Sequence, residues 1–184
     1  NEKWELILKE VLGEVKYGRI QKPEEVDGPR RELFEVVEES KAITKSKYTL
    51  AGGAPSEYFF DIDRFLSYPR FVETISNYYA SEILKTTKEE RLDLLAFVEK
   101  DIGTIGVLPH MSSILAKTRL GGFVVRISKD VMIGKVKCSP DSYPRPGQRI
   151  GIVSDVVTAA EGIMRASMAI RAYGAETPYA FVLY

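Results

Sequence analysis

Arg149-Ile-Gly-Ile-Val-Ser-Asp-Val-Val-Thr-Ala-Ala-Glu-Gly162 holds the change of rhythm that decides how this chain folds. Arg149 to Val153 is a short apolar run of the kind that forms a buried strand. Small and polar residues follow, and Ile163 to Tyr173 then shows helical spacing up to a stop at Gly174. Tyr179-Ala-Phe-Val-Leu-Tyr184 reads as a further strand. Strand, loop, helix and strand make a βαβ unit, and such units build parallel sheets covered on both faces. Upstream, the pattern predicts a strand over Ile102-Gly-Thr-Ile-Gly-Val-Leu108 and a helix from Ser112 to Leu120, ended by Gly121-Gly122. Phe123-Val-Val-Arg-Ile127 is expected to be the next strand. The fold class is therefore α/β, with a central parallel sheet flanked by helices.

The N-terminal half differs. Trp4 to Tyr17 has apolar residues at three- and four-residue steps, so an amphipathic helix is expected there. Gly18, Pro23, Gly28 and Pro29 mark residues 18–30 as a linker. A second helix is expected from about Arg31 to Ile43. Tyr48-Thr-Leu-Ala-Gly-Gly-Ala-Pro-Ser-Glu-Tyr-Phe-Phe-Asp61 reads as two short strands around a Gly-Gly-Ala-Pro turn. Ser67 to Leu84 reads as a helix entered near Pro69. Lys129 to Gln148 is a polar stretch rich in glycine and proline.

Composition narrows the function classes. Among 184 residues, 26 Lys and Arg balance 26 Asp and Glu, which argues against a polyanion-binding surface over the whole protein but leaves room for a local basic site. An apolar content of 45% supports a sizeable core. No apolar run approaches the ~18 residues of a membrane span, and no export signal is expected. Cys138 is the sole cysteine and His110 the sole histidine, which excludes an intrachain disulfide, a Cys-rich zinc site and a poly-His metal centre. A reducing cytoplasm is the expected compartment. The only amide side chains are Asn1, Gln21, Asn77 and Gln148, while 28% of residues are charged, a balance seen in proteins from hot environments.

In open parallel sheets, ligands bind at the carboxyl ends of strands. Asp155, just past a strand, suits hydrogen bonds from sugar hydroxyls. The small residues that open the following helix suit a phosphate, because backbone N–H groups can face it there. The same residues equally suit an Asp/Ser helix cap with small side chains packed at a turn.

Ile152-Val-Ser-Asp-Val-Val-Thr-Ala-Ala160 resembles the phosphoribosyl-diphosphate (PRPP) signature of type I phosphoribosyltransferases. Tyr48 to Asp61 resembles the N-terminal motif of the orotate enzymes in that family. Arg165-Ala-Ser-Met-Ala-Ile-Arg-Ala-Tyr-Gly-Ala175 resembles the helix after the PRPP loop, and Gly106 to Ala116 stands where the family has its pyrophosphate loop and helix. The match runs in order over roughly residues 33–184. It implies an N-terminal helix and linker at 1–30 and a phosphoribosyltransferase-like domain at 31–184, with a hood at about 44–65 and a core at about 66–184.

The implied activity is transfer of ribose 5-phosphate from PRPP to orotate in pyrimidine nucleotide synthesis. The implied cofactor is Mg²⁺ carried with PRPP, with no direct protein ligand. The implied assembly is a homodimer in which each site borrows the partner's mobile loop. The resemblance gives Asp155 and Lys129 catalytic roles. It places Ser154, Asp155, Thr158, Ala159, Ala160, Glu161, Gly162, Leu108, Pro109, His110, Met111, Ser112 and Arg126 around PRPP. Arg165, Tyr58, Phe59 and Phe60 fall at the base, although Tyr58-Phe59-Phe60 also reads as mainly core with at most one ring at the base. A membrane or nucleic-acid partner is not expected.

Departures from the family pattern lie where charge matters. Ser154 replaces the first acid of the pair, Ala160 replaces a glycine, and Glu161 puts a carboxylate beside the phosphate cradle. Ala54 and Pro55 stand where basic residues are frequent, and the stretch from Arg126 to Lys137 has cations but no histidine. His110 also suits a surface or packed position, and Lys129, Lys135 and Lys137 also suit a solvated loop. These losses leave a second reading open, a non-catalytic relative with a regulatory or binding role.

Overall fold

A two-stranded hairpin and a five-stranded sheet organise the chain. The computed structural model describes residues 28–49, 55–61, 64, 69–100, 107–127, 135–137, 143–154 and 161–182. The helix expected at 4–17 and most of the expected linker lie outside them.

Helix α1 spans Gly28–Ser40, so Gly28, Pro29 and Arg30 form its first turn instead of ending a linker. Proline is tolerated there because first-turn N–H groups have no intrahelical partner. The helix stops short of Ile43. Ser40 Oγ donates to the Val37 carbonyl at 2.9 Å and accepts from the Ala42 N–H at 3.2 Å, and Lys41 follows with φ at 52°. Strands β1 (Ile43–Thr49) and β2 (Pro55–Phe60) then pair antiparallel. This is the expected pair of strands, with a register shift between Lys45 and Tyr48. The Asp61 N–H donates to the carbonyl of fully buried Ala42 at 2.8 Å, closing the root of the hairpin.

Helix α2 (Pro69–Glu89) begins on proline as expected and runs five residues past Leu84. Strand β3 (Leu94–Lys100) follows, then α3 (Val107–Thr118), β4 (Gly121–Ile127), β5 (Lys135–Lys137), β6 (Arg149–Ser154), α4 (Glu161–Arg171) and β7 (Glu176–Val182). The sheet order is β5-β4-β3-β6-β7, with four parallel strands and β5 antiparallel at one edge.

Three expectations are corrected. The central strand is Leu94–Lys100, which periodicity does not reveal because both of its faces are apolar. Leu95 and Phe97 join one core cluster, while Ala96 and Val98 join the other. The strand expected at 102–108 is not formed as such: Val107 and Leu108 open α3, and 102–106 lie outside the described residues. Gly121-Gly122 does not stop a helix. Arg119 takes the left-handed conformation after α3, with φ at 58°, and both glycines begin β4. A Cβ on Gly122 would sit 2.8 Å from Leu115 Cδ2 and 3.0 Å from the Leu95 carbonyl, so glycine lets α3 lie close on the sheet. By contrast, Gly174 does end its helix, with φ at 79°.

The alternating strand residues feed two cores. Helices α1, α2 and α3 cover one face through Leu33, Val36, Ile75, Tyr79, Ile83 and Ile114. Helix α4 covers the other through Ile163, Ala166, Ala169 and Ile170.

Candidate functional site

Topology locates a crevice before any side chain is considered. The connection from β3 to β4 carries α3 over one face, and the connection from β6 to β7 carries α4 over the other. β3 and β6 are neighbours, so the chain departs from them in opposite directions. This is the switch point outside the strand carboxyl ends where open α/β sheets bind ligands. The two segments leading away from it are 101–106 and 155–160, which include Asp155, Thr158, Ala159 and Ala160 and lie outside the described residues. Lys129 lies outside them too.

The described residues around this edge are specific. Ser154 ends β6 and is buried, 4% exposed. Its carbonyl accepts a hydrogen bond from Tyr79 Oη at 2.7 Å. Glu161 is the first residue of α4 and is exposed, and its carboxylate is ion-paired with Arg165 one turn on. That placement is locally favourable, because an acid at a helix N-terminus meets the positive end of the dipole and a cation at i+4 supports it. It also puts a negative charge where an anionic ligand would meet the helix. Gly162 beside it is half-buried.

Arg126 and Glu99 face each other across β4 and β3 near the carboxyl ends, with Arg126 Nε donating to Glu99 Oε2 at 2.7 Å. Arg126 therefore stands at the ligand-binding edge with part of its charge engaged by Glu99. Helix α3 starts at Val107, so Leu108, Pro109 and His110 belong to its first turn and Met111 and Ser112 to the next. Only first-turn N–H groups lack intrahelical partners. Met111 packs on the core, and Ser112 is exposed.

Tyr58 and Phe59 are each 45% exposed, which corrects the expectation that they are mainly core. Lys45 Nζ lies 5.6 Å from the Tyr58 ring centroid. Phe59 meets Tyr48 with centroids 5.4 Å apart, and Tyr48 Oη is 2.7 Å from Thr44 Oγ1. The hairpin thus shows half-open aromatic rings with a cation beside one of them. Phe60 ends β2.

A second polar cluster occupies the opposite, amino-terminal edge of the sheet. Asp93 accepts from the Arg149 N–H at 2.9 Å and from Arg91 Nε at 2.6 Å. The backbone hydrogen bond from Arg149 is the main cause that holds the Asp93 carboxyl below its usual range; burial opposes it, and the Arg91 side chain adds to the lowering. Arg149 also pairs with Glu90 and, at 3.6 Å, with Glu176. This cluster staples β3, β6 and β7 together away from the crevice. Among the described residues, no group of three or more His, Cys, Asp or Glu side chains converges as a metal site, and no helix is long and apolar enough to cross a membrane.

Sequence reasoning does not single out Tyr79 or segment 101–106. The first needs tertiary contact to be seen, and the second needs the correct position of β3.

No protein-family model matches the chain. It is 26% identical over 155 residues to the orotate phosphoribosyltransferase of Methanothermobacter thermautotrophicus, covering 84% of this chain and 78% of that one. It is also 26% identical over 156 residues to the orotate phosphoribosyltransferase of Pyrococcus abyssi, covering 84% and 80%. Among solved structures, orotate phosphoribosyltransferase from Aeropyrum pernix superposes with a TM-score of 0.60 at 19% identity, over 82% of this chain and 79% of that chain. Adenine phosphoribosyltransferase from Saccharomyces cerevisiae superposes with a TM-score of 0.56 at 15% identity, over 81% and 88%.

Proposed function

We propose that the chain is a type I phosphoribosyltransferase, an enzyme transferring ribose 5-phosphate from PRPP to orotate. One observation carries the reading. The stretch resembling the PRPP signature, Ile152 to Ala160, begins on the strand that borders the switch-point crevice. The resemblance of Tyr48 to Asp61 to the orotate enzymes and the named relatives favour orotate over a purine.

In this reading the N–C1′ bond to orotate forms as the C1′–O bond to pyrophosphate breaks. The protein positions and neutralises; it makes no covalent intermediate. Asp155 holds the ribose hydroxyls, following Ser154, which is buried at the end of β6. Thr158 and the backbone of Ala159, Ala160, Glu161 and Gly162 surround the 5′-phosphate. The first turn of α3 faces pyrophosphate through the N–H groups of Leu108 and His110, with Pro109 between them and Met111 and Ser112 in the turn behind. Lys129 and Arg126 offset the leaving-group charge. Tyr58, Phe59, Phe60 and Arg165 meet the base. Mg²⁺ supplies charge neutralisation on the diphosphate, which itself provides the oxygen donors this hard cation prefers. A homodimer would bring the partner's loop over each site.

A second reading, a retained fold without catalysis, is favoured by the Glu161–Arg165 pair, which sets a carboxylate at the phosphate cradle and engages the cation assigned to the base. Incubation with Mg²⁺, PRPP and orotate, following both orotate loss and pyrophosphate release, separates the two. Turnover of orotate but not of adenine supports the proposal. No pyrophosphate release with either base refutes it.

A further inference from the structure

We infer that Tyr79 is a positioning residue for the loop that leaves β6, and so sets the affinity of the site for PRPP. The inference rests on the PRPP reading of that loop. Tyr79 lies on α2, is 4% exposed, and packs in the core cluster that includes Leu95, Phe97, Val153 and Phe181. Its hydroxyl passes 2.7 Å from the Ser154 carbonyl, 75 residues away in sequence. The β3 register with β6 ends at Phe97 and Val153. One residue later, a side chain satisfies the backbone.

The consequence follows from peptide planarity. Fixing a carbonyl fixes the whole peptide plane, because rotation about the C–N bond is blocked. The plane fixed here is the one joining Ser154 to Asp155. Tyr79 therefore sets the direction in which the chain leaves the sheet to form the ligand loop. The phenol is well suited to this, since its ring is locked in the core while its hydroxyl reaches the edge. Ser154 stays in register with Val182 of β7, but without the hydroxyl its buried carbonyl loses the hydrogen bond from Tyr79 and the plane is held less firmly. Ligand binding must then restore that orientation at its own expense. Tyr79 touches no reacting atom, so the effect belongs to binding more than to turnover.

The test is Tyr79→Phe, which keeps the ring packing and removes one hydroxyl. Mg²⁺–PRPP is titrated calorimetrically into wild type and variant, and KM and kcat are measured for PRPP and orotate. The expected result is a PRPP Kd and KM raised about tenfold, with kcat and the orotate KM changed less than about twofold. Ser40→Ala is the control, because it loses a buried hydroxyl and its two hydrogen bonds at the end of α1. It should lower Tm by a similar amount and leave PRPP affinity unchanged. Wild-type binding that is unaltered in Tyr79→Phe overturns the inference. So does an equal loss of affinity in both variants, which would mark general destabilisation. No PRPP binding by wild type overturns instead the reading on which the inference rests.

Discussion

Glu161→Gln removes one negative charge from the start of α4 without shortening the side chain. The carboxylate is 59% exposed and paired with Arg165, whose side chain is 21% exposed. If a phosphate sits ~6 Å away, two unit charges at an effective dielectric of ~20 repel by roughly 3 kcal/mol. Ionic screening over ~8 Å at physiological salt takes this to roughly half. The Arg165 guanidinium on the same carboxylate offsets a further share, leaving about 1 kcal/mol, or about fivefold tighter PRPP binding in the variant. Helix stability moves the other way, because the lost pair and dipole contact are together worth about 0.6–1.5 kcal/mol. The variant should therefore melt slightly earlier yet bind more strongly. Calorimetric titration of Mg²⁺–PRPP at about 0.05 M and about 0.5 M salt is the assay, and the gain should shrink as screening increases. Equal or weaker binding by Glu161→Gln at both salts refutes the reasoning, because an anion held at that helix start cannot ignore the charge beside it.

Two further predictions concern the scaffold. The Asp93 carboxyl is held low in the folded state, so its contribution is present above the unfolded value of about 3.9 and is lost as pH falls through that value towards the folded one. Asp93→Asn should lower stability by about 2 kcal/mol at neutral pH, which is roughly 4–8 °C in Tm for a chain of this size. The gap to wild type should narrow in melts below pH about 4, and a gap constant down to pH about 2 contradicts the assignment. Gly122→Ala would press a methyl against Leu115, the Leu95 carbonyl and Phe97, costing about 1–3 kcal/mol. A urea midpoint equal to wild type shows that α3 is not held so close to β4.

The hairpin, β6 and α4 are legible in the sequence because each is marked by strong local signals. These are the Gly-Gly-Ala-Pro turn, the apolar run of Arg149 to Val153, and Gly174. β4 is legible from its apolar run alone, and its first two residues, Gly121 and Gly122, read as a helix stop. β3 is not legible, since Leu94-Leu-Ala-Phe-Val follows Glu89-Glu-Arg-Leu-Asp without a turn residue and has no alternation to expose. Its burial between two helical layers is a tertiary fact. β5 is three residues long and exists as a strand only through pairing with β4. For the candidate site, Asp155 and the residues around it stand out by their resemblance to a known motif. The partners of charged residues do not. That Arg126 faces Glu99 requires the β3–β4 register, and that Glu161 meets Arg165 follows from i,i+4 spacing only once α4 is known to begin at Glu161. Tyr79 is silent in sequence because its partner is a backbone carbonyl far along the chain.

The most direct test of the central claim is titration of Mg²⁺–PRPP into the protein and into Asp155→Asn. The account predicts micromolar binding by wild type that weakens by at least about tenfold when the ribose hydroxyls lose the carboxylate. Absence of binding at millimolar PRPP, or equal binding by both proteins, contradicts it.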